Sequence, residues 1–105
     1  MAIIFSKESY MALGSPANLV IPEGVTKIDR GTFYRCTSLQ SVTIPDSVTE
    51  IGSSAFEGCA SLQGIVIPEG VTKIGSTAFR DCTSLQSVSI PDSVTKIDRD
   101  TFYRS

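Results

Sequence analysis

The stretch Leu62 to Ser84, LQGIVIPEGVTKIGSTAFRDCTS, nearly repeats itself at a spacing of 23 residues in both directions. Upstream, Leu39 to Ser61 reads LQSVTIPDSVTEIGSSAFEGCAS, and downstream Leu85 onward reads LQSVSIPDSVTKIDRDTFYRS. A short fixed period through a whole chain specifies stacked coils, because no single unit can bury its own apolar row and each must be covered by its neighbours. The expected fold is therefore an α/β repeat solenoid with a small parallel sheet and short helical turns. Its four coils are expected at 16–38, 39–61, 62–84 and 85–105. At the same period, residues 1–15 form a degenerate half-repeat. Phe5 takes the slot of Ile28, Ile51, Ile74 and Ile97, and Tyr10 takes that of Phe33, Phe56, Phe79 and Phe102. Leu13 falls in the cysteine slot and Ser15 in the slot of Ser38, Ser61 and Ser84. The segment reads as an N-terminal cap with a short helix from Lys7 to Leu13, Ser6 as N-cap and Gly14 closing it.

Each repeat has three parts. LxxVxI (Leu39, Val42, Ile44) alternates apolar residues with Ser and Thr, the pattern of a half-buried strand. Pro22, Pro45, Pro68 and Pro91 end it, and the Glu-Gly or Asp-Ser that follows suits a type I turn. VTxI, as in Val71 to Ile74, reads as a short bent strand or an extended corner. In the AFxxC or TFxxC part, Phe79 and Cys82 stand three apart, so one turn of α- or 3₁₀-helix would place both on the same face. Asp29, Gly52, Gly75 and Asp98 precede it and tolerate a turn or cap. A second level of order pairs the coils. IPEGVTKI occurs in repeats 1 and 3 and PDSVT in 2 and 4, which suggests a 46-residue unit duplicated once.

At 105 residues the chain has the size of one domain, and its 9 basic and 11 acidic residues are too balanced to argue for nucleic acid. No apolar run reaches membrane-spanning length. The short Ala2 to Phe5 stretch, followed at once by Lys7 and Glu8, does not resemble a secretory signal. Histidine is absent, which removes the commonest general base and the commonest metal ligand.

The polar residues fall into columns rather than clusters. Cys36, Cys59 and Cys82 share a slot with Leu13 and are expected to be core thiols, since free cysteine packs as a small hydrophobe. A zinc site would want clustered spacing instead. Glu23, Asp46, Glu69 and Asp92 form a carboxylate column that could attract a hard cation such as calcium. It also sits where a proline-led turn wants solvated side chains. Lys27, Lys73 and Lys96 form a basic column beside it. Two outward columns of the strand, Asn18, Ser41, Gly64, Ser87 and Val20, Thr43, Val66, Ser89, are small and uncharged, a weak composition for an interface. The DRxTFYR segments are richer: Arg30, Tyr34 and Arg35 near one end, Arg99, Tyr103 and Arg104 near the other.

The motif IPxxVTxIGxxAFxxCxSL resembles the BspA-type, or Treponema pallidum-type, leucine-rich repeat over about residues 16 to 105. The resemblance implies a right-handed solenoid with a concave parallel sheet. It also implies a surface or secreted protein, in some relatives an adhesin binding host extracellular matrix, and no shared catalytic residues or cofactor. The leading reading is a non-catalytic protein-protein interaction module. The second is a structural or assembly module that self-associates through its terminal coils as a homodimer. The candidate interface residues are Ile3, Ile4, Tyr34, Arg35, Val88, Ile90, Tyr103 and Arg104. The strand near Val88 and Ile90 is an uncharged edge ended by Pro91, and Ile3 and Ile4 stand where the other repeats carry polar residues.

Overall fold

The computed structural model describes residues 3–95, 97–98 and 100–105. The places of Lys96 in the basic column and Arg99 in the second DRxTFYR segment lie outside the described residues. Period becomes register: every strand pairs in parallel with its copy one repeat away, Asn18 with Ser41 and Gly64 with Ser87, for example. The LxxVxI segments supply β2 (Asn18–Val20), β4 (Ser41–Thr43), β6 (Gly64–Val66) and β8 (Ser87–Ser89), which form one four-stranded sheet in that order. The VTxI corners supply a second sheet of two-residue strands. It runs β1 (Ile4–Phe5), β3 (Lys27–Ile28), β5 (Glu50–Ile51) and β7 (Lys73–Ile74).

The core is the inward row of each coil. Leu39, Val48, Ile51, Phe56, Cys59 and Leu62 are fully buried, as are Val71, Phe79 and Cys82 of repeat 3, with Ile74 5% exposed. Phe33, Phe56, Phe79 and Phe102 stack face to face with centroids 4.9, 5.2 and 5.3 Å apart. Phe5 and Tyr10 complete the column, Tyr10 meeting Phe33 edge-on. The cap helix α1 (Lys7–Ala12) starts with a capping box between Ser6 and Ser9. It ends at Leu13, with Gly14 in the left-handed region at φ 84°.

Three expectations need correction. Leu13 is 54% exposed, not a core residue in the cysteine column. Once the cap turns helical, Tyr10 makes the core contact and donates through its hydroxyl to Pro16 O at 2.7 Å, and the 23-residue alignment fails beyond it. The Phe-Cys segments are chained turns rather than helices, so α1 is the one helix among the described residues. A helical turn would spend its N–H groups within its own coil. Here they alternate. Ala55, Glu57 and Cys59 donate back to Gly52, Ser54 and Phe56, while Ser54, Phe56 and Gly58 donate to Ser76, Ala78 and Arg80 of the next coil. This third side of the stack therefore joins neighbouring coils by backbone hydrogen bonds as the two sheets do. The alternation needs left-handed backbone at Gly31, Ser54 and Thr77 and again at Arg35, Gly58, Asp81 and Arg104, all with φ between 54° and 78°. Finally, Gly52 and Gly75 are required by close approach rather than by a turn. A Cβ on Gly75 would lie 2.3 Å from Ser53 N, and one on Gly52 would lie 2.7 Å from Arg30 N.

Candidate interaction surfaces

In the larger sheet, period-two alternation sends Leu19, Val42, Ile65 and Val88 inward and the residues beside them outward. The outward residues form the two uncharged columns. Ser41 Oγ donates to Asn18 Oδ1 at 2.8 Å along the first. In the second, Val20 and Val66 are 70% and 69% exposed. Gly64 carries no side chain beside Ser87, whose Oγ stands 3.1 Å from where a Cβ would be. A groove of about 530 Å³ opens there, walled by Thr43, Val66, Ser87 and Ser89 and reaching Asp46 at the rim. Residue composition alone marked this face as plain. The groove lies across the strands of repeats 2, 3 and 4, a relief that composition does not report.

The turn side carries the Tyr-Arg segments. Tyr34 and Tyr103 are both exposed, as are Arg35 and Arg104. Arg35 lies over the Tyr34 ring at 5.4 Å. Tyr103 is flanked by Arg80 at 5.2 Å and Arg104 at 5.4 Å. Arg80 arrives from the preceding coil, a partner not visible in the DRxTFYR pattern. Asp81 lies 3.9 Å from both arginines and offsets part of their charge. These are half-exposed pairs at the limit of contact and contribute little to stability.

The two ends differ. At the N-terminal end, Ile3 and Ile4 are each half exposed, but Leu19, Val25 and Phe33 behind them are covered. At the other end, Ile90 is 37% and Ile97 42% exposed, against 2% for Ile67 and 5% for Ile74 one coil earlier. Leu85, Val88, Val94 and Phe102 are only partly buried against the core. Leu85, Val88 and Phe102 line a hollow of about 170 Å³ with Gln86, Ser87 and Ser105. The eight candidate residues thus fall in four separate places: Ile3 and Ile4 at one end, Val88 and Ile90 at the other, and on the turn side Tyr34 and Arg35 in repeat 1 and, three coils away, Tyr103 and Arg104 in repeat 4.

The cysteines are free thiols, Cys59 and Cys82 buried and Cys36 half-buried. Cys59 Sγ donates to Phe33 O and Cys82 Sγ to Phe56 O, each at 3.1 Å, and Ser105 Oγ makes the corresponding bond to Phe79 O. From Cys59 onward the column is a row of side-chain donors, each reaching the phenylalanine carbonyl of the preceding coil, whereas Cys36 Sγ lies 3.9 Å from Tyr34 O of its own coil. Burial pushes the Cys82 thiol up to about 11 and raises Cys59 further. Burial also raises Cys36, with Lys7 opposing. The carboxylates Glu23, Asp46, Glu69 and Asp92 are exposed at the turns. Among the described residues no group of three or more His, Cys, Asp or Glu side chains could hold a metal, and no helix is long and apolar enough to cross a membrane.

The repeat has known counterparts. The family model described as a BspA type leucine-rich repeat region of six copies matches residues 4–105. A leucine-rich cell surface protein from Faecalibacterium prausnitzii is 49% identical over 68% of this chain, with a TM-score of 0.66. The leucine-rich repeat protein of T. pallidum is 42% identical over 68% of the chain, with a TM-score of 0.67. One from Bacteroides ovatus is 32% identical over 88%, with a TM-score of 0.59. The chain spans 18%, 33% and 30% of those three structures respectively. No curated protein sequence matches. With the model match running across nearly all of its length, the chain belongs to the BspA-type leucine-rich repeat family.

Proposed function

We propose that the chain is a non-catalytic protein-interaction module that engages a protein partner through its larger sheet, and that it works in an adhesin-like role at a cell surface. The groove around Gly64 carries this reading. A protein interface needs a centre that can be dehydrated without stranding charge. The eight outward positions of the sheet bear no charged residue, and Val20 and Val66 give it apolar area to cover. Three sides of backbone hydrogen bonding hold those columns in place, so little ordering cost remains on binding. The cell-surface F. prausnitzii relative supports the location. Titratable groups repeat as columns along the stack, which supports a binding role over a catalytic one.

Surface plasmon resonance of the chain against a panel of extracellular-matrix proteins tests the reading. Saturable binding to at least one of them is expected, weakened at least about tenfold by Val66→Lys, a charge in a dehydrated contact. Absence of binding across the panel would overturn the adhesin-like role. Binding unchanged in Val66→Lys would move the contact to the Tyr34/Arg35 or Tyr103/Arg104 pairs. Turnover in a broad hydrolase and transferase screen would overturn the non-catalytic reading.

A further inference from the structure

We infer that the groove on the larger sheet seats a basic side chain, best an arginine, which the protein partner carries in an otherwise uncharged stretch. The inference rests on the reading of this sheet as the binding face and names the chemistry of what binds there.

The groove follows a seam in the middle of the stack. β2 with β4 and β6 with β8 pair over three residues, but β4 with β6 pairs only as Ser41 with Gly64. Ile21 N–H donates to Thr43 O at 3.0 Å and Ile67 N–H to Ser89 O at 2.9 Å, whereas the equivalent bond from Ile44 N–H to Val66 O is missing among the described residues. The sequence encodes this seam. Ser47 Oγ and Ser93 Oγ donate at 2.7 Å to Val25 O and Val71 O, which ties coil 1 to coil 2 and coil 3 to coil 4. Gly70 stands in that slot at the junction of coils 2 and 3 and has no hydroxyl to donate. The seam therefore falls between the two 46-residue units. Ile44 beside it is 7% exposed, against 1% for Ile21 and 2% for Ile67. Val42, Ile44 and Ile65 are core residues and yet line the groove, so the groove reaches down to the strand backbone.

Charge decides what fits. Asp46 stands at the rim of the groove, in the carboxylate column between Glu23 and Glu69. The turns of that column are in contact. Gly24 N–H meets Ser47 Oγ at 3.1 Å on one side, and a Cβ on Gly70 would lie 3.0 Å from Asp46 O on the other. Among the described residues none of the three carboxylates has an ion-pair partner, since Lys27 goes to Glu50, and Arg80 and Arg104 go to Asp81. The opposite wall, Ser87 and Ser89, is uncharged. A partner that covers the groove takes water from Asp46, and a dehydrated carboxylate without a counter-charge is strongly unfavourable. Ile44 N–H asks only for an acceptor, which any polypeptide backbone supplies. Asp46 asks for a cation, which only a basic side chain supplies. Its apolar stem can lie along Val66 and Pro68 while its head stays at the rim. Arginine suits the seam better than lysine, because its planar head donates to a carboxylate and a carbonyl at once, here Asp46 and Val66 C=O.

Short peptides of Ser, Thr and Val with a central Arg, Gln or Glu are the probes, added at millimolar concentration to the 15N-labelled chain and followed by NMR. The Arg peptide should shift the amides of Ile44, Asp46 and Val66 in a saturable way, and the Gln and Glu peptides should not. Asp46→Asn should weaken the Arg peptide about fivefold or more without disturbing the rest of the amide spectrum. Glu23→Gln, in the same column but outside the groove, should weaken it less than about twofold. Equal responses to the three peptides, the absence of any response included, overturn the inference. So do equal losses in Asp46→Asn and Glu23→Gln, because the field of the whole column would then be acting rather than a seat at Asp46. A matrix protein whose binding is weakened by Val66→Lys and not by Asp46→Asn overturns this inference and leaves the binding face standing. One whose binding neither substitution weakens overturns both.

Discussion

At the scale of single residues, the glycines separate two requirements. Gly14 has space around it and a left-handed φ of 84°, so a side chain there meets only backbone preference. Gly75 has an ordinary φ, but backbone lies 2.3 Å from where its Cβ would be, so a side chain must push two coils apart. Gly14→Ala should cost about 1 kcal/mol and Gly75→Ala roughly 3 kcal/mol, measured by urea denaturation; equal losses would contradict the close approach. The cysteine slot has its own signature. Ser105 fills it with the same bond to a phenylalanine carbonyl, so Cys82→Ser should fold. The Cys82 thiol stays protonated in the folded state up to about pH 11, whereas in the unfolded chain it ionises near the ordinary thiol value of 9.0. Below pH 9 both states hold the proton and the group has no effect. Between pH 9 and 11 the unfolded state alone releases it, so stability falls with rising pH. The thermal midpoint of the wild type should therefore fall more over that window than that of Cys82→Ser. Parallel curves would mean the thiol is not buried.

At the scale of elements, the phenylalanine column links the turns to the core. Phe56 and Phe79 each lie between two rings and are fully buried, while Phe102 has a ring on one side only and is partly exposed. Phe56→Ala and Phe79→Ala should each cost roughly 3–5 kcal/mol and Phe102→Ala distinctly less, in the same denaturation assay. Equal costs at the three positions would contradict the order of stacking. The strands were legible because their signal is local: alternation in LxxVxI and the proline that ends it. The turn side was not. Phe79 and Cys82 stand three apart and lie on the same face, as a helix would place them, but that spacing also fits chained turns. What separates the two is left-handed backbone at Ser54, Thr77, Arg35 and Asp81, residue types that do not announce it as glycine does. The two glycines that matter most to packing, Gly52 and Gly75, instead looked like turn residues.

At the scale of the molecule, the 23-residue period was enough to place nearly every contact, because the coils stack in register and repeat spacing becomes spatial adjacency. Ser54 and Thr77 hydroxyls meet at 2.8 Å and Lys27 reaches Glu50 at 3.5 Å, each pair one period apart. Where the period breaks, reading from it broke too. Leu13 was misplaced because the cap changes from turn to helix after Ser6. The interaction face needed coordinates for a different reason: its groove is shaped by residues of three successive coils together, and composition reports them one at a time. The molecule is a stack tied together on three sides by backbone hydrogen bonds that run from coil to coil. Amide hydrogen exchange followed by NMR at two protein concentrations tests it most directly. The amides of Phe33, Phe56 and Phe79, which donate from coil to coil, should exchange slowly at both. Those of Glu23 and Glu69, at the exposed turns, should exchange rapidly at both. Rapid exchange at Phe33, Phe56 and Phe79 would contradict the stack as described.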